Sequence, residues 1–292
     1  FFRLNSNYII EDFVAQRLVT EYEIESLGKG LITFYSRIEN MNQLKKITSY
    51  PVIGEIIYSK DSADLTITFE KQSKSPIVES FRSLRANLEY MSIGSSPKVV
   101  VITSNTPGEG KTFTSLNTGA IIAMTGKKVL LLEFDLHKPK IKEAMNLYTD
   151  KGVSDVLIGK TNVKDSIVQT RIENMDILLA GPIPPNPSEL IHSTFLMEIL
   201  KYGRENYEFV IIDTPPVGII SDALILMKYA DINLFVVNTK SNSKDDINNI
   251  EDMIESHQLK NFAYILNGVK IKYSKYYNNR YAYGLYGYLK NT

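Results

Sequence analysis

A glycine-rich stretch between an apolar run and a helix-forming segment restricts the folds open to this chain more than any other feature. Residues 105–112 read NTPGEGKT, directly after KVVVITS at 98–104, and they lead into GKTFTSLNTGAIIAMTG, which favours a helix ending at Gly126. Glycines let backbone N–H groups curl around phosphate oxygens, and the helix that follows adds its N-terminal dipole. Because this context separates a phosphate-binding loop from a chance glycine turn, the chain is predicted to bind a nucleoside triphosphate.

Apolar runs and amphipathic segments alternate through the rest of the chain. Continuous apolar strands separated by helices indicate a parallel sheet that is covered on both faces. The predicted fold class is therefore α/β, with a P-loop NTPase-type, mostly parallel sheet flanked by helices on both faces. The predicted strands are 98–104, 127–135, 176–180, 209–213, 232–238 and 262–268, and the predicted helices between them lie at about 140–147, 188–203, 220–229 and 244–257.

The chain divides into three regions by pattern, the last of which is the tyrosine-rich segment 270–292. Residues 1–75 are predicted to be an N-terminal juxtamembrane or linker region that includes a short apolar strand at 51–57. Residues 76–269 are predicted to form the nucleotide-binding domain, which starts with the helix IVESFRSLRANLEYM. No apolar run reaches the ~20 residues that a spanning helix needs, so the chain as given is expected to be soluble. Because it begins at Phe1, we expect a fragment or a processed product.

The composition excludes or disfavours several kinds of covalent link, metal site and binding partner. Lysine and arginine number 33, as do aspartate and glutamate, so whole-chain charge predicts no nucleic-acid or membrane partner. The chain has no cysteine, which excludes disulfides and thiolate metal sites. His137, His192 and His257 lie far apart in the sequence and show no metal-ligand spacing.

Acidic residues end two further apolar strands. FVIIDTPP ends a strand at Asp213, a Walker B pattern whose carboxylate can hold Mg²⁺ directly or through water. LLLEFDLHKP carries Glu133 and Asp135, which are two residues apart and therefore face the same way on an extended strand. Lys111 is predicted to bridge the β- and γ-phosphates. The predicted nucleotide-binding residues are Thr106, Pro107, Gly108, Glu109, Gly110, Lys111, Thr112 and Phe113, and the predicted metal ligands are Thr112, Asp135 and Asp213.

These motifs together resemble the bacterial tyrosine kinase (BY-kinase) family, the cytoplasmic kinases of polysaccharide export systems. SNTPGEGKT is similar to the family's Walker A, LLLEFDLHKP to its Walker A′ and FVIIDTPP to its Walker B. PVIGEI, GVSDVLIGK and GPIPPNPSELI also look like family segments, and the resemblance covers about residues 40–292. It implies an ATP- and Mg²⁺-dependent, autophosphorylating protein-tyrosine kinase. The implied catalytic residues are Lys111, Glu133 and Asp135, with Glu133 accepting the phenol proton.

The resemblance also implies partners and a location. Glu79, Arg82 and Arg85 match the family's ExxRxxR helix, which is similar to the helix that joins subunits into a ring. Further implied partners are a membrane-embedded polysaccharide export or chain-length component, upstream on the same chain or separate, and a cognate tyrosine phosphatase. The expected location is the cytoplasmic face of the bacterial inner membrane, and the expected role is control of capsular or exopolysaccharide synthesis and export. No nucleic-acid partner is expected.

Several positions depart from the family's pattern. Glu133 stands where Asp is usual, so its reach differs by one methylene from that of the usual proton acceptor. His137 replaces the arginine that usually follows the second acid, and Asn105 stands where P-loops commonly have Gly or Ala. An acid that faces solvent or caps a loop remains the alternative to a catalytic Glu133. Residues 104–108 lack the early lysine of partition and septum-site ATPases, which argues against a dimeric switch that uses a lysine in trans.

The end of the chain is dense in tyrosine. Residues 270–292 contain five Lys or Arg and no acid, and they are predicted to be a flexible tail because they show no apolar periodicity. In a kinase of this family, we predict that the tail is the substrate and threads into a neighbouring subunit's site. Stacking on single-stranded nucleic acid and packing at a membrane interface are the competing interpretations. The predicted phosphoacceptors are Tyr273, Tyr276, Tyr277, Tyr281, Tyr283, Tyr286 and Tyr288.

Two functions of other classes compete with the kinase interpretation. One is an ATPase switch or scaffold that hydrolyses ATP without modifying tyrosine. The other is a catalytically weak regulatory subunit, which Glu133 and His137 suggest. The HRD and DFG motifs of other protein kinases are not apparent in the sequence, so that kinase class is not indicated.

Overall fold

An eight-stranded sheet organises the described part of the molecule. The computed structural model describes residues 37–59, 75–91 and 98–274. The strands are β1 (Val52–Ile57), β2 (Lys98–Ser104), β3 (Val129–Glu133), β4 (Val168–Gln169), β5 (Met175–Leu178), β6 (Phe209–Asp213), β7 (Ile232–Asn238) and β8 (Phe262–Val269). Their order in the sheet is β1-β8-β7-β2-β6-β3-β5-β4. All neighbouring pairs are parallel except β4 with β5, which is antiparallel.

Helices lie on both faces of this sheet. The α-helices are α1 (Met41–Ile47), α2 (Pro76–Met91), α3 (Lys111–Ala123), α4 (Ile141–Ala144), α5 (Val153–Leu157), α6 (Pro187–Leu190), α7 (Phe195–Asn206), α8 (Asp222–Met227) and α9 (Lys244–Ser256). Two 3₁₀ turns lie at Lys164–Ser166 and Ile271–Tyr273. None of the helices in these described parts of the chain combines the length and the apolar character needed to cross a membrane.

Alternate residues of the central strands build two separate hydrophobic cores. In β2, Val99 and Val101 belong to one core, which they share with apolar residues of α1, α7 and α9. Val100 and Ile102 belong to the other core, which they share with α2 and α3. All four valine and isoleucine side chains are fully buried, as expected of a parallel strand covered on both faces. The predicted α/β class and its two helical layers are therefore confirmed.

The predicted strands are confirmed with shifts of a few residues, but the helix predicted at 188–203 is wrong as a single helix. It is divided into α6 and α7 by four residues in turns, 191–194. The hydroxyl of Ser193 donates to the Leu157 carbonyl at 2.8 Å and accepts from the Phe195 N–H at 3.3 Å. Serine side chains compete in this way with the backbone hydrogen bonds of a helix. The break therefore follows from a tertiary contact that the helical periodicity does not reveal.

The sheet includes a strand from before residue 76, the position at which the nucleotide-binding domain was predicted to begin. β1 pairs with β8 along its length, and Ile38, Met41 and Leu44 are part of the core on the α9 face. The Thr48 hydroxyl donates to the Glu251 carboxylate on α9. Residues 37–57 therefore share a sheet and a core with described residues of the segment 76–269.

Residues 275–292 fall outside the described residues, and so does most of the predicted tyrosine tail. The phosphoacceptors outside the described residues are Tyr276, Tyr277, Tyr281, Tyr283, Tyr286 and Tyr288. Tyr273, by contrast, lies in the second 3₁₀ turn, is half-buried and packs against the hydrophobic core. The adjacent Ser274 is buried and donates from its hydroxyl to Glu55 on β1 at 2.5 Å. The chain is thus tied to the sheet as far as residue 274.

Candidate functional site

The three strands that end in the predicted motifs are neighbours at the centre of the sheet. β6 lies between β2 and β3, and Asp213 is in register with Ile102 on one side and with Glu133 on the other. Because the strands are parallel, their carboxyl ends meet at one edge, where ligands bind in open α/β sheets. The topology therefore brings the glycine-rich loop and both acidic motifs together, as the sequence predicts.

The loop after β2 has the backbone shape that a phosphate-binding loop needs. Gly108 and Gly110 have φ of 89° and 99°, a conformation that favours glycine because it has no Cβ. α3 begins directly at Lys111, so its N-terminus points into the loop. Within the described residues, no backbone carbonyl accepts from the N–H groups of residues 108–113. These free donors and the helix dipole fit a polyphosphate chain.

Lys111 lies across this loop in an ion pair. Its Nζ atom is 2.7 Å from Asp135 Oδ2, and the residue is 9% exposed. Burial alone would lower the pKa of the Lys111 ammonium, but the carboxylates of Asp213 and Asp135 outweigh burial and raise that pKa. Lys111 is therefore charged at neutral pH, and a phosphate can compete with Asp135 for it.

Asp213 connects the strand end to the first turn of α3. Its Oδ2 accepts from the Thr112 hydroxyl at 2.8 Å, and its Oδ1 accepts from the Ser115 hydroxyl at 3.0 Å. Burial raises the pKa of Asp213, while the Lys111 charge and the two hydroxyl donors act to lower it. Sequence reasoning missed Ser115. The available signal was its spacing, because a residue three positions after Thr112 lies on the same helix face.

The side chains at this edge fit Mg²⁺ together with a nucleotide. Thr112, Asp135 and Asp213 offer hydroxyl and carboxylate oxygens, the ligand type that Mg²⁺ prefers. Among the described residues, no group of three His, Cys, Asp or Glu side chains could hold a metal without further ligands. Mg²⁺ usually takes one or two carboxylates and completes its shell with water and substrate phosphates. The donor set thus suits a metal that arrives with the nucleotide.

Glu133 is engaged in a different way from Asp135. Its Oε1 accepts from the N–H groups of Lys140 and Ile141 at 2.8 and 2.7 Å, and its Oε2 accepts from the Ala180 N–H at 3.1 Å. Burial raises the pKa of Glu133, and the three backbone N–H groups act to lower it. The carboxylate therefore caps the start of α4 and fixes the loop after β5. These contacts favour a positioning role over the proton-accepting role that the resemblance implies.

Replacing Glu133 tests this capping role. Glu133→Ala leaves three backbone N–H groups without their acceptor, those of Ile141 and Ala180 in buried positions and that of Lys140 partly buried, so we expect a loss of unfolding free energy on the order of 3 kcal/mol. Glu133→Gln keeps one acceptor oxygen, so it should cost about 1 kcal/mol of unfolding free energy and retain most of the activity of the natural chain. Urea denaturation measures both values.

The matched control is Glu143→Ala, which removes an exposed acid from α4 itself. A denaturation midpoint for Glu133→Ala equal to that of Glu143→Ala would contradict the capping role. Loss of activity in a stable Glu133→Gln protein would instead favour the proton acceptor.

Two of the sequence departures make contacts with the segment after β6. His137 Nε2 lies 3.3 Å from the Oδ2 atom of the buried Asp222, at the start of α8. The carbonyl of Asn105 accepts from the Gly218 N–H at 3.1 Å. A Cβ at Gly218 would lie 2.5 Å from both that carbonyl and the Asn105 side chain. The phosphate loop (residues 105–110) and the loop that carries Asp135 (residues 134–140, the Asp135 loop) therefore both pack against the chain that follows Asp213.

The residues predicted for subunit association lie elsewhere, on α2. Arg82 Nη1 pairs with Glu79 Oε1 within the same helix. Arg85 Nη1 donates to the Ile121 carbonyl of α3 at 3.3 Å. All three side chains therefore have partners inside this chain.

Known proteins similar to this chain agree with the geometry. A family model described as "AAA domain" matches residues 97–266. The tyrosine-protein kinase YwqD of Bacillus subtilis (strain 168) is 35% identical over 206 residues, which cover 70% of this chain and 87% of that protein. The putative tyrosine-protein kinase CapB of Staphylococcus aureus is 34% identical, with 72% of this chain and 92% of that protein covered. The crystal structure of the chimerical protein CapA2B2 has a TM-score of 0.71 and 35% identity, with 78% of this chain and 99% of that one covered.

Proposed function

This chain belongs to the bacterial protein-tyrosine kinases, and from that premise we propose that it transfers the γ-phosphoryl group of ATP to tyrosines near the C-terminus of neighbouring copies of itself. The observation that carries the proposal is the meeting of Lys111, Thr112, Asp135 and Asp213 at the tips of three adjacent strands. These side chains surround a loop whose free N–H groups suit the phosphates of ATP.

Different side chains of the site have different roles in phosphoryl transfer. The loop N–H groups and the Lys111 ammonium bind the phosphates and orient the γ-phosphoryl group toward the acceptor. Thr112, Asp135 and Asp213 would hold Mg²⁺, which neutralises charge on the phosphate oxygens when it is bound. The Ser115 hydroxyl keeps the Asp213 carboxylate in its orientation. Catalysis then rests on positioning and electrostatics, which dominate phosphoryl transfer.

Deprotonation of the acceptor tyrosine needs less assistance from the protein than binding and orienting the phosphates does. A free tyrosine has a pKa of ~10, but a loose transition state needs little activation of the attacking oxygen. Both oxygens of Glu133 already accept backbone N–H groups. Glu133 therefore holds the loop that carries Asp135 in place, and the phenol proton can leave late in the transfer, to solvent water or to an oxygen of the transferred phosphoryl group.

The proposed acceptors are the tail tyrosines. Residues 270–292 carry five basic residues and no acid, so they are attracted to a site lined by Asp135 and Asp213. Each phosphorylation adds about −1.5 to −2 charges, so it weakens that attraction, and about three or four phosphorylations reverse the net charge of the tail and favour its release. Tyr273 lies in a turn that packs on the core. It must leave that turn before it can act as an acceptor.

The cellular role follows from the family. We propose that phosphorylation of the tail controls capsular or exopolysaccharide synthesis and export. The proposed partners are further copies of the chain, a membrane-embedded export or chain-length component and a tyrosine phosphatase that reverses the reaction. The proposed location is the cytoplasmic face of the bacterial inner membrane.

Incubation of the purified protein with ATP and Mg²⁺ tests the activity. Phosphotyrosine should appear on the chain in proportion to ADP released. Release of inorganic phosphate without phosphotyrosine would indicate an ATPase switch, and neither product would indicate a regulatory subunit.

Subunit association through α2 gives a second test. The Glu79 and Arg82 side chains form an ion pair within α2 and are 39% and 34% exposed, so a neighbouring copy can reach them. We expect the double change Glu79→Ala and Arg82→Ala to shift the protein from oligomer to monomer in light scattering. The matched control removes the exposed Lys201–Glu205 pair of α7. Equal masses for both double variants would leave α2 as an ordinary surface.

A further inference from the structure

Glu109 is an acid within the phosphate-binding loop, yet it is 1% exposed. Its Oε2 accepts from the backbone N–H groups of Asn105 and Thr106 at 2.8 and 3.0 Å. Its Oε1 accepts from the Thr106 hydroxyl at 2.9 Å. The side chain therefore folds back over the start of the loop and satisfies donors that precede the phosphate-binding N–H groups.

The same residue joins the loop to two other segments. Its carbonyl accepts from the side-chain amides of Asn267 on β8 and Asn238 on β7, at 2.8 and 3.2 Å. Its Oε1 lies 3.3 Å from the Ser241 hydroxyl, in the turn between β7 and α9. A Cβ at Gly110 would lie 2.1 Å from the Asn267 amide nitrogen, so the loop and β8 are in close contact. Glu109 is thus the point where three separate segments converge.

Because the Glu109 carboxylate is negatively charged, it cannot attract a negatively charged nucleotide. A carboxylate near a triphosphate repels it, and this repulsion grows where water is excluded. The hydrogen bonds that the loop donates to Glu109, by contrast, favour binding of the nucleotide. They keep the loop in one shape before the nucleotide arrives, which reduces the ordering cost of binding.

We propose that Glu109 is a positioning residue that holds the phosphate loop in its binding shape through its hydrogen bonds and not through its charge. The proposal rests on the proposed function, in which this loop binds ATP. It predicts an unusual ranking of variants. Glu109→Gln keeps the side-chain shape and an acceptor oxygen for the two N–H groups, and its new NH₂ group can donate to the reoriented hydroxyls of Thr106 and Ser241. Glu109→Ala removes all of these side-chain contacts and keeps only the hydrogen bonds to the backbone carbonyl.

Titration of the full chain with Mg²⁺ and a fluorescent N-methylanthraniloyl ADP tests the ranking. We expect Glu109→Ala to weaken binding at least about tenfold, in line with the loss of two or three hydrogen bonds. Glu109→Gln should bind within about threefold of the natural chain, or more tightly because a repulsive charge is gone. The matched control is Glu173→Ala, which removes an exposed acid from a turn. In kinase assays, the alanine change should raise KM for ATP more than it lowers kcat.

Two results would overturn the proposal: a glutamine variant as weak as the alanine variant, and an alanine variant that binds like the control. If Glu109→Ala does not fold, Thr106→Val removes one donor at constant shape and should weaken binding about threefold, and unchanged binding would count against the proposal. Failure of the proposed kinase function would give a different experimental result from failure of the proposed role of Glu109. The natural chain would then bind nucleotide without making phosphotyrosine, while the ranking of the Glu109 variants could still hold.

Discussion

Replacing Lys111 with methionine is expected to reduce tail phosphorylation at least about a hundredfold while the fold is retained. The ammonium is the positive charge closest to the transferring phosphoryl group in our assignment, and loss of a single such group commonly costs 10²–10³ in kcat, as a rough guide. Methionine fills a similar volume, but Asp135 loses the partner that lies 2.7 Å away. Site-resolved mass spectrometry of the tail measures the loss, and circular dichroism checks the fold.

The matched control for this change is Lys160→Met. Lys160 also pairs with a buried aspartate, Asp155, at 2.8 Å, but it lies outside the phosphate loop. The control should lose an ion pair of comparable length to a buried aspartate, although from a more exposed lysine, and keep its activity. Equal phosphotyrosine on the Lys111→Met protein and the control would refute the site assignment.

Replacing the six tail tyrosines outside the described residues with phenylalanine is expected to remove nearly all phosphotyrosine. The change deletes only the acceptor hydroxyls, so nucleotide affinity should stay within about twofold of the natural value. Mass spectrometry measures the first effect and the fluorescent nucleotide titration measures the second. The replaced residues are Tyr276, Tyr277, Tyr281, Tyr283, Tyr286 and Tyr288.

Tyrosines in the folded domain define the result that would contradict this prediction. Tyr90 and Tyr148 are 77% and 88% exposed, so a kinase without tail preference could modify them. If the phenylalanine variant keeps the natural level of phosphotyrosine, and it is found at these positions, the tail is not the main substrate.

Much of the fold could be predicted because local pattern and tertiary environment agree. The strands of the central sheet are continuous apolar runs, and each is buried on both faces. Parallel order then forces their carboxyl ends to one edge, so the meeting of Lys111, Asp135 and Asp213 follows from the motifs and the topology together. The Walker motifs were informative because each is tied to a strand end.

The differences arise where long-range contacts decide the structure. The helix predicted at 188–203 is broken because Ser193 bonds to Leu157, 36 residues earlier. The turn of the chain after Lys151 depends on another contact between residues distant in sequence, because a Cβ at Gly152 would lie 2.2 Å from the Gly181 nitrogen. Neither contact has a local sequence signal.

Side-chain roles in the site were only partly readable from sequence. Spacing correctly places Glu133 and Asp135 at one strand end, but it does not show that Glu133 accepts three backbone N–H groups from two other loops. The contacts of Glu109 to β7 and β8 are likewise invisible, because Asn238 and Asn267 are 129 and 158 residues away in sequence. A buried acid can be recognised as structural only when its partners are known.

A mixing experiment tests the central claim most directly. The Lys111→Met chain keeps the acceptor tyrosines without the catalytic lysine, and the tail-phenylalanine chain keeps the lysine without the acceptors. Each alone should gain almost no phosphotyrosine with ATP and Mg²⁺. Mixed together, they should produce phosphotyrosine on the tail of the Lys111→Met chain, as read by mass spectrometry. A mixture that stays unmodified under conditions where the natural chain phosphorylates itself would contradict transfer between copies at this site.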